Sequence, residues 1–416
     1  MKDVVLLFSG QGSQYVGMGK NIYDKYSIVK DIFEEASDTL NIDMKKLCFE
    51  GDLEKLSLTS NTQTAILTVS YAMFKVLTNE YGINPVYMAG HSLGEISAIT
   101  CANAINFKDG LKIVKRRGEL MQRASAEKSS MAAIIGVESK EVENVIDEIK
   151  NKGRIINIAC YNSTLQNVIS GEDEAVREAI NKLETIAKKV SHLKVSGAFH
   201  TQLMAPVADE FEEELNKYKY NEFSIPVISN VNAKEYESSL EIVSNLKNQL
   251  TNPVLWTDIM KAIINKDSDY IIELGPKNTL SKLFKRYSNM SNIYAFDNKA
   301  DLNKIDRNIG LKKDIDFNLV KSILVAASCT ENNNFQNEKY SENVILPIKK
   351  IKNIYIALKE TKREVTVEDL DKAVEALFLV LENKSVGNFE KKEILSELLK
   401  QTRYEEIKRK IASNII

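Results

Sequence analysis

A serine flanked by glycines is the first feature of this sequence that suggests chemistry. Gly90, Ser92 and Gly94 form the pattern Gly-x-Ser-x-Gly, between an apolar segment and a helix-like one. A sharp turn from strand to helix leaves no room for side chains beside the serine, so it favours glycine at both flanking positions. Such a turn exposes the hydroxyl as a nucleophile and directs the following amide groups toward a developing oxyanion. The alternative is a plain turn with a buried capping serine, and the pattern alone leaves both open.

A serine nucleophile needs a base, and the sequence contains three histidines. His91 is next to the serine, so a turn is expected to direct it elsewhere, toward a structural or substrate-facing role. His192 falls within a strand pattern. His200 lies where an inserted segment rejoins the main domain, and such junctions are natural edges for a cleft. Position therefore favours His200 as the base without deciding the assignment.

The composition argues against several classes of protein. The 416 residues are 44% hydrophobic and 27% charged, with a net charge of −2, which is typical of a soluble globular protein. The nearly neutral net charge argues against a nucleic-acid partner. A membrane partner is not expected either, since no apolar run approaches the roughly 20 residues that span a bilayer. The apolar run near the N-terminus is too short for a secretion signal, so we expect a cytoplasmic location. The cysteines have neither metal-ligand nor disulfide spacing, so we expect reduced thiols and no metal site; they are Cys48, Cys101, Cys160 and Cys329.

Short apolar strands alternate with helical patterns up to about residue 300, which predicts an α/β fold. The segments "VVLLF", "YMAG" and "YIIELG" are typical of buried parallel strands. We therefore predict an α/β-hydrolase-like large domain, with a parallel sheet and a nucleophile elbow, formed by residues 1–125 and 199–300.

Residues 126–198 form a pattern of their own. Strand-like and helix-like segments follow one another in the order βαββαβ, and the segment 188–195 is the closing strand. This order is that of a ferredoxin-like subdomain, here inserted into the large domain.

Residues 301–416 predict a helical C-terminal extension rich in lysine and glutamate. Thr366 and Asp369 have the spacing of a capping box at the start of one helix. One interpretation is that these helices pack on the large domain or serve as an oligomer contact. The other is a docking surface for a partner protein, with Lys349, Lys350 and Lys352 facing acidic groups of that partner.

A series of segments in the first 300 residues resembles one family of enzymes. The order and content of these segments are similar to those of malonyl-CoA–acyl carrier protein transacylases and the acyltransferase domains of polyketide synthases. The segments are "FSGQGSQYVGMG", "LTSNTQTAI", "GHSLGE", "KRRGELMQRA", "YNSTLQNVISG", "VSGAFHTQLM", "ISNVNA", "QLTNPVLW" and "IELGP".

The resemblance implies a two-step acyl transfer. Ser92, assisted by His200, would attack the thioester of malonyl-CoA, and the phosphopantetheine thiol of an acyl carrier protein would then take the malonyl group. The backbone carbonyl of Gln249 would orient the histidine, and the backbone amides of Gln11 and Leu93 would form the oxyanion hole. CoA and the carrier protein are substrates in this scheme, so no separate cofactor is expected.

The resemblance also implies how the substrate is bound. Arg117 matches the arginine that binds the malonyl carboxylate, a role that suits a planar guanidinium. Gln63 and Asn162 match polar pocket positions, although a helix cap or a strand-end hydrogen bond explains each equally well. His91 is the further substrate-facing candidate. Phe199 resembles the bulky neighbour that disfavours a methyl branch, so malonyl is expected over methylmalonyl.

Two other functions are compatible with the same fold. A hydrolase of stalled acyl–carrier-protein thioesters would use the Ser–His pair with water as the acceptor. A non-catalytic carrier-protein binding module would keep only the fold. Arg117 argues against the hydrolase, because a buried unpaired cation would destabilise a site for simple acyl chains. The intact set of Ser92, His200 and Gln11 argues against the module. The choice between a fatty-acid and a polyketide carrier protein stays open.

Overall fold

The computed structural model describes residues 3–124, 129–193, 197–336 and 338–415. Contacts divide the chain into two compact units. The larger unit comprises Lys2–Asn79 and Ile83–Ile305, and the smaller one comprises Glu80–Gly82 and Asp306–Ile416. The predicted boundary between residues 125 and 126 lies outside the described residues, as do positions 194 and 195 of the predicted closing strand.

The strands all belong to the larger unit within the described ranges. They are β1 (Val4–Phe8), β2 (Tyr87–Gly90), β3 (Ser129–Ile135), β4 (Ile156–Ser163), β5 (Gln166–Glu172), β6 (Lys189–His192), β7 (Val227–Ile228), β8 (Tyr270–Leu274) and β9 (Ile293–Ala295).

The helices account for most of the remaining described chain. They are α1 (Lys20–Lys25), α2 (Ser27–Leu40), α3 (Met44–Phe49), α4 (Leu53–Ser57), α5 (Thr59–Tyr81), α6 (Leu93–Cys101), α7 (Phe107–Arg123), α8 (Ser139–Lys150), α9 (Asp173–Leu183), α10 (Ala205–Leu215), α11 (Glu241–Thr251), α12 (Trp256–Ile264), α13 (Thr279–Tyr287), α14 (Lys299–Asn308), α15 (Lys312–Cys329), α16 (Leu346–Thr361), α17 (Val367–Asn383), α18 (Asn388–Gln401) and α19 (Glu405–Ala412). A 3-10 turn spans Gln202–Met204, and a π-helical turn spans Ser341–Ile345.

A parallel sheet forms the centre of the larger unit. Among the described residues its five strands have the order β7-β2-β1-β8-β9, and every neighbouring pair is parallel. All side chains of β1 and β8 are buried, which explains why β1 is a continuous apolar segment and why β8 is apolar except for Glu273. Ser92 follows the carboxyl end of β2, where ligands of open α/β sheets bind.

A second sheet lies within the same unit. In the described part its four strands have the order β4-β5-β3-β6 and are antiparallel to their neighbours. The apolar faces of α8 and α9 pack with this sheet around a common core, including Ile146, Ile169 and Val176. Sequence order and strand order together are those of a ferredoxin-like subdomain.

The smaller unit is helical and has its own hydrophobic core. Buried side chains of α15 to α19 form this core, including Ile323, Ile351, Leu377 and Leu395. The helix α17 begins with the capping box that the sequence indicates, since Thr366 and Asp369 exchange side-chain-to-backbone hydrogen bonds.

The predicted fold class is confirmed: an α/β domain with a parallel sheet, an inserted ferredoxin-like subdomain and a helical extension. Within the described residues, no helix combines the length and apolarity needed to cross a bilayer.

Candidate active site

Ser92 occupies a strained turn between β2 and α6. Its backbone has φ 53° and ψ −105°, which a non-glycine residue adopts at an energetic cost. A Cβ at Gly90 would lie 1.9 Å from the backbone carbon of Gly94, and one at Gly94 would lie 2.1 Å from the oxygen of Phe8. Only glycine therefore fits at both flanking positions, and the turn has the form of a nucleophile elbow.

His200 lies beside the serine hydroxyl. Its Nε2 is 2.9 Å from Ser92 Oγ, and its Nδ1 is 2.7 Å from the backbone oxygen of Gln249. Because a carbonyl oxygen only accepts, Nδ1 carries the hydrogen, and Nε2 of the neutral ring accepts from the serine hydroxyl. His192, in contrast, is exposed at the end of β6. The structure therefore brings together the pair that a general-base mechanism requires.

Arg117 approaches the same hydroxyl from α7. The side chain is 1% exposed. Its Nη2 donates to Ser92 Oγ at 3.1 Å and to Gln249 Oε1 at 2.7 Å, while Nη1 donates to Gln63 Oε1 at 3.1 Å. Burial lowers the pKa of Arg117 to about 10, against the opposing effect of the Glu95 charge, so the guanidinium is charged at neutral pH. Its Nε is buried and has no acceptor among the described residues, so one N–H group of the guanidinium is unsatisfied.

A cavity of about 270 Å³ opens beside the serine. Its polar lining residues include Gln11, His91, Ser92, Asn162 and His200, and its apolar ones include Met121, Met131, Phe199, Leu280 and Leu283. Cys160 also lines the cavity, and burial raises the pKa of its thiol to about 12. The thiol therefore stays protonated at neutral pH, which leaves Ser92 as the nucleophile that the geometry favours.

The backbone beside Ser92 provides donors for an oxyanion. The loop that carries Gln11 packs tightly on the elbow, since a Cβ at Gly10 would lie 2.5 Å from the backbone oxygen of His91. The amides of Gln11 and Leu93 donate to no acceptor within the described part of the chain. Leu93 is also the first residue of α6, where the helix dipole favours negative charge.

The remaining predicted substrate-binding residues lie around these groups. His91 Nε2 is 2.8 Å from Asn162 Oδ1, and burial lowers the pKa of this histidine, so its ring is neutral. Phe199 is buried in the wall of the cavity. Gln63 contacts Arg117 rather than lining the cavity, so its place is behind the guanidinium.

Comparison with known proteins decides the family. A family model described as an acyl transferase domain matches residues 5–316, which is more than half of the chain. This chain belongs to the acyl transferase family. The acyltransferase is also 35% identical over 405 residues to a malonyl CoA-acyl carrier protein transacylase of Bacillus subtilis, covering 95% of this chain and 100% of the relative. That similarity therefore extends into the C-terminal helices.

Two solved structures resemble the larger part of this acyltransferase. An acyl carrier protein S-malonyltransferase from Vibrio cholerae has a TM-score of 0.70 at 36% identity, over 73% of this chain and 99% of the other. A malonyl-transacylase in complex with a type II polyketide synthase acyl-carrier protein has a TM-score of 0.70 at 35% identity, over 74% and 99%. The predicted resemblance and the enzyme class, an acyltransferase, are confirmed.

Two residues of the acyltransferase site are not among those expected from the sequence. Asn230 accepts from the Ser92 amide and donates to the Gly90 carbonyl, both at 2.7 Å, and so braces the elbow. Glu95 is the single charged residue in the otherwise uncharged segment of α6, which is a signal that sequence alone offers. Asn230 lies in a polar loop within the segment "ISNVNA", which resembles the family, but no local feature distinguishes this asparagine from its polar neighbours.

The second-order rate constant for serine acylation at low malonyl-CoA, which reports the free enzyme, is expected to be nearly independent of pH between 5.5 and 7.5. Burial and the charge of Arg117 lower the pKa of His200 to about 3, so the base stays neutral over this range. A histidine with an ordinary pKa near 6.5 would lose about ten-fold over the same interval. Single-turnover loading followed by intact-protein mass spectrometry measures this, and a ten-fold decline with an apparent pKa near 6.5 would contradict it.

The same shift affects folding. His200 takes up a proton near pH 6.5 in the unfolded chain but only near pH 3 in the folded chain. The free energy of unfolding therefore has its full value, as far as His200 is concerned, above pH 6.5 and decreases as the pH falls from 6.5 to about 3.

Proposed function

We propose that this acyltransferase moves a malonyl group from malonyl-CoA to the phosphopantetheine thiol of an acyl carrier protein. The names of its relatives support this substrate pair, as does the relative solved with a polyketide synthase carrier protein. The observation that carries the proposal is the buried guanidinium of Arg117, which lies within hydrogen-bond distance of the nucleophile.

The reaction has two halves of the same form. Ser92 Oγ attacks the thioester carbonyl, and His200 Nε2 takes the hydroxyl proton. The amides of Gln11 and Leu93 stabilise the oxyanion, the C–S bond breaks, and the proton passes from Nε2 to the CoA thiolate. In the second half His200 Nε2 takes the proton of the carrier thiol, whose sulfur attacks the malonyl ester. The C–O bond to Ser92 breaks, and the proton passes from Nε2 to Ser92 Oγ, which restores both side chains.

The malonyl carboxylate is expected to bind at Arg117. The free Nε–H and the terminal nitrogens form the planar set of donors that a carboxylate accepts from. The bound carboxylate also offsets the positive charge that lowers the pKa of His200, so the base becomes stronger when the correct substrate is present. Phe199 in the cavity wall supports a preference for malonyl over methylmalonyl.

Intact-protein mass spectrometry tests the proposal. The full chain is mixed with malonyl-CoA, acetyl-CoA or methylmalonyl-CoA, and a phosphopantetheinylated carrier protein is then added. A covalent adduct formed mainly from malonyl-CoA and passed to the carrier protein is expected. An acetyl adduct of equal yield that is lost to water rather than to the carrier protein would instead support hydrolysis, which the family findings do not favour.

We also propose that the helical extension docks the carrier protein or a polyketide synthase that bears it. Lys349, Lys350 and Lys352 are exposed on α16, and none makes an ion pair with another described residue. Reversing Lys349 and Lys352 to glutamate is expected to raise the KM for the carrier protein by about ten-fold, since rim charges act mainly on association. The KM for malonyl-CoA should not change.

The matched control reverses Lys391 and Lys392 on α18 and alters net charge equally. Equal effects of the two pairs, or no effect of either with any carrier protein, would contradict docking at α16.

A cytoplasmic location, which the reduced thiols suit, stays a prediction.

A further inference from the structure

A carboxylate is buried beneath the nucleophile and has no role in the scheme above. Glu95 is 0% exposed and lies in the first turn of α6, three residues after Ser92. Burying a carboxylate is unfavourable unless hydrogen bonds or a positive charge compensate it. Its surroundings therefore indicate what it does.

Both oxygens of Glu95 accept hydrogen bonds. Tyr236 donates its hydroxyl to Oε1 and Gln249 donates Nε2 to Oε2, each at 2.6 Å. Ser229 and the backbone of Asn230 also interact with the carboxylate. Burial raises the pKa of Glu95 above its usual range, and these donors offset part of that rise. Because an ionised carboxylate only accepts hydrogen bonds, and the surrounding groups all donate to it, this arrangement fits the ionised form of Glu95.

The amide of Gln249 connects this carboxylate to Arg117. Its Nε2 faces Glu95 and the Ser92 carbonyl, so its Oε1 faces the guanidinium and accepts from Nη2 at 2.7 Å. The Glu95 charge favours the protonated guanidinium, against the effect of burial. A chain of hydrogen bonds thus joins a buried anion, an amide and a buried cation.

We propose that Glu95 is a positioning residue that acts through the side chain of Gln249 to hold Arg117 charged and directed at Ser92. It thereby sets the preference of the site for an acyl group that bears a carboxylate. This inference rests on the proposed malonyl transfer and adds a determinant of its specificity.

An acetyl donor separates this role from a purely structural one. Acetyl-CoA has no carboxylate for Arg117, whereas it needs Ser92 and His200 as malonyl-CoA does. The ratio of malonyl to acetyl loading therefore reports the guanidinium, and loss of folded protein lowers both rates equally.

The test substitutes Glu95→Gln, which keeps the shape and removes the charge. The malonyl-to-acetyl ratio of kcat/KM is expected to fall roughly 10-fold, mainly through KM for malonyl-CoA. Tyr236→Phe removes one hydrogen bond to Glu95 and keeps its charge, so it should change the ratio far less. Glu273→Gln is the control, because it removes a buried carboxylate that accepts hydrogen bonds from Ser9 and from the start of α13 rather than from Gln249. The malonyl-to-acetyl ratio of this variant should equal that of the wild type.

If Glu95→Gln does not fold, Gln249→Met decides, because it breaks the chain of hydrogen bonds and keeps the backbone carbonyl that holds His200. A selective loss of malonyl loading supports the inference. An unchanged ratio in a folded Glu95→Gln protein, or an equal fall in Tyr236→Phe, overturns it. A wild-type protein that does not load malonyl overturns the proposed function itself, which is a distinct result.

Discussion

Ser92→Ala is expected to abolish the covalent malonyl adduct and to lower transfer to the carrier protein by at least about 10⁴-fold. The substitution removes the only oxygen that lies within hydrogen-bond distance of both His200 Nε2 and Arg117 Nη2 among the described residues. Residual transfer would have to proceed by direct attack of the carrier thiol on malonyl-CoA. Intact-protein mass spectrometry after mixing with malonyl-CoA measures the adduct, and a radiolabelled donor measures transfer.

Ser97→Ala is the matched control for this result. Ser97 is a buried serine of α6, the helix that follows Ser92, and its hydroxyl has no partner among the described residues. Its substitution should leave the adduct intact. An adduct that persists in Ser92→Ala would mean that another group reacts. Cys160, which lines the same cavity, would then be the first residue to substitute in that variant.

Arg117→Ala is expected to lower kcat/KM for malonyl-CoA by roughly 10²- to 5 × 10³-fold, because truncating one partner of a buried charge pair costs about 3–5 kcal/mol. Acetyl loading should change by less than about ten-fold, since acetyl has no carboxylate to lose a partner. The values of kcat/KM for malonyl-CoA and acetyl-CoA should therefore become more similar in this variant. Parallel kinetics of CoA release with malonyl-CoA and acetyl-CoA measure this convergence.

Arg116→Ala tests whether the effect belongs to the buried guanidinium. Arg116 precedes Arg117 in α7 but forms part-exposed ion pairs with Glu119 and Glu210. Such pairs contribute little, so the ratio of the two donors should stay at the wild-type value. An Arg117→Ala protein that loses malonyl and acetyl loading equally would contradict the carboxylate role and leave only an effect on Ser92.

Local features of this protein were predictable from the sequence because local sterics dictate them. Glycine at positions 90 and 94 is required where backbone segments approach within about 2 Å of a hypothetical Cβ, and the pattern shows it directly. The βαββαβ order of the inserted subdomain and the capping box at Thr366 follow from hydrophobic periodicity and from residues close in sequence.

Local sequence patterns did not identify the histidine that pairs with Ser92. Three histidines were candidates on position alone, and the family resemblance pointed to His200. In the structure His200 meets Ser92 across 108 residues of sequence, while His192 is exposed at the end of an edge strand and His91 contacts Asn162. Contacts over such separations depend on how the strands, helices and loops of the larger unit pack, and no local pattern encodes them.

The sequence by itself determined the fold class, the strained turn that presents Ser92 and the two candidates for its main partners, His200 and Arg117. Only the tertiary structure decided that one residue serves both partners, since the backbone of Gln249 holds His200 and its side chain holds Arg117. It also decided that Glu95, 154 residues away from Gln249, lies behind them. The physical reason is that charges buried in a low-dielectric interior must be compensated in three dimensions, by whichever donors and acceptors the packed elements bring within about 3 Å.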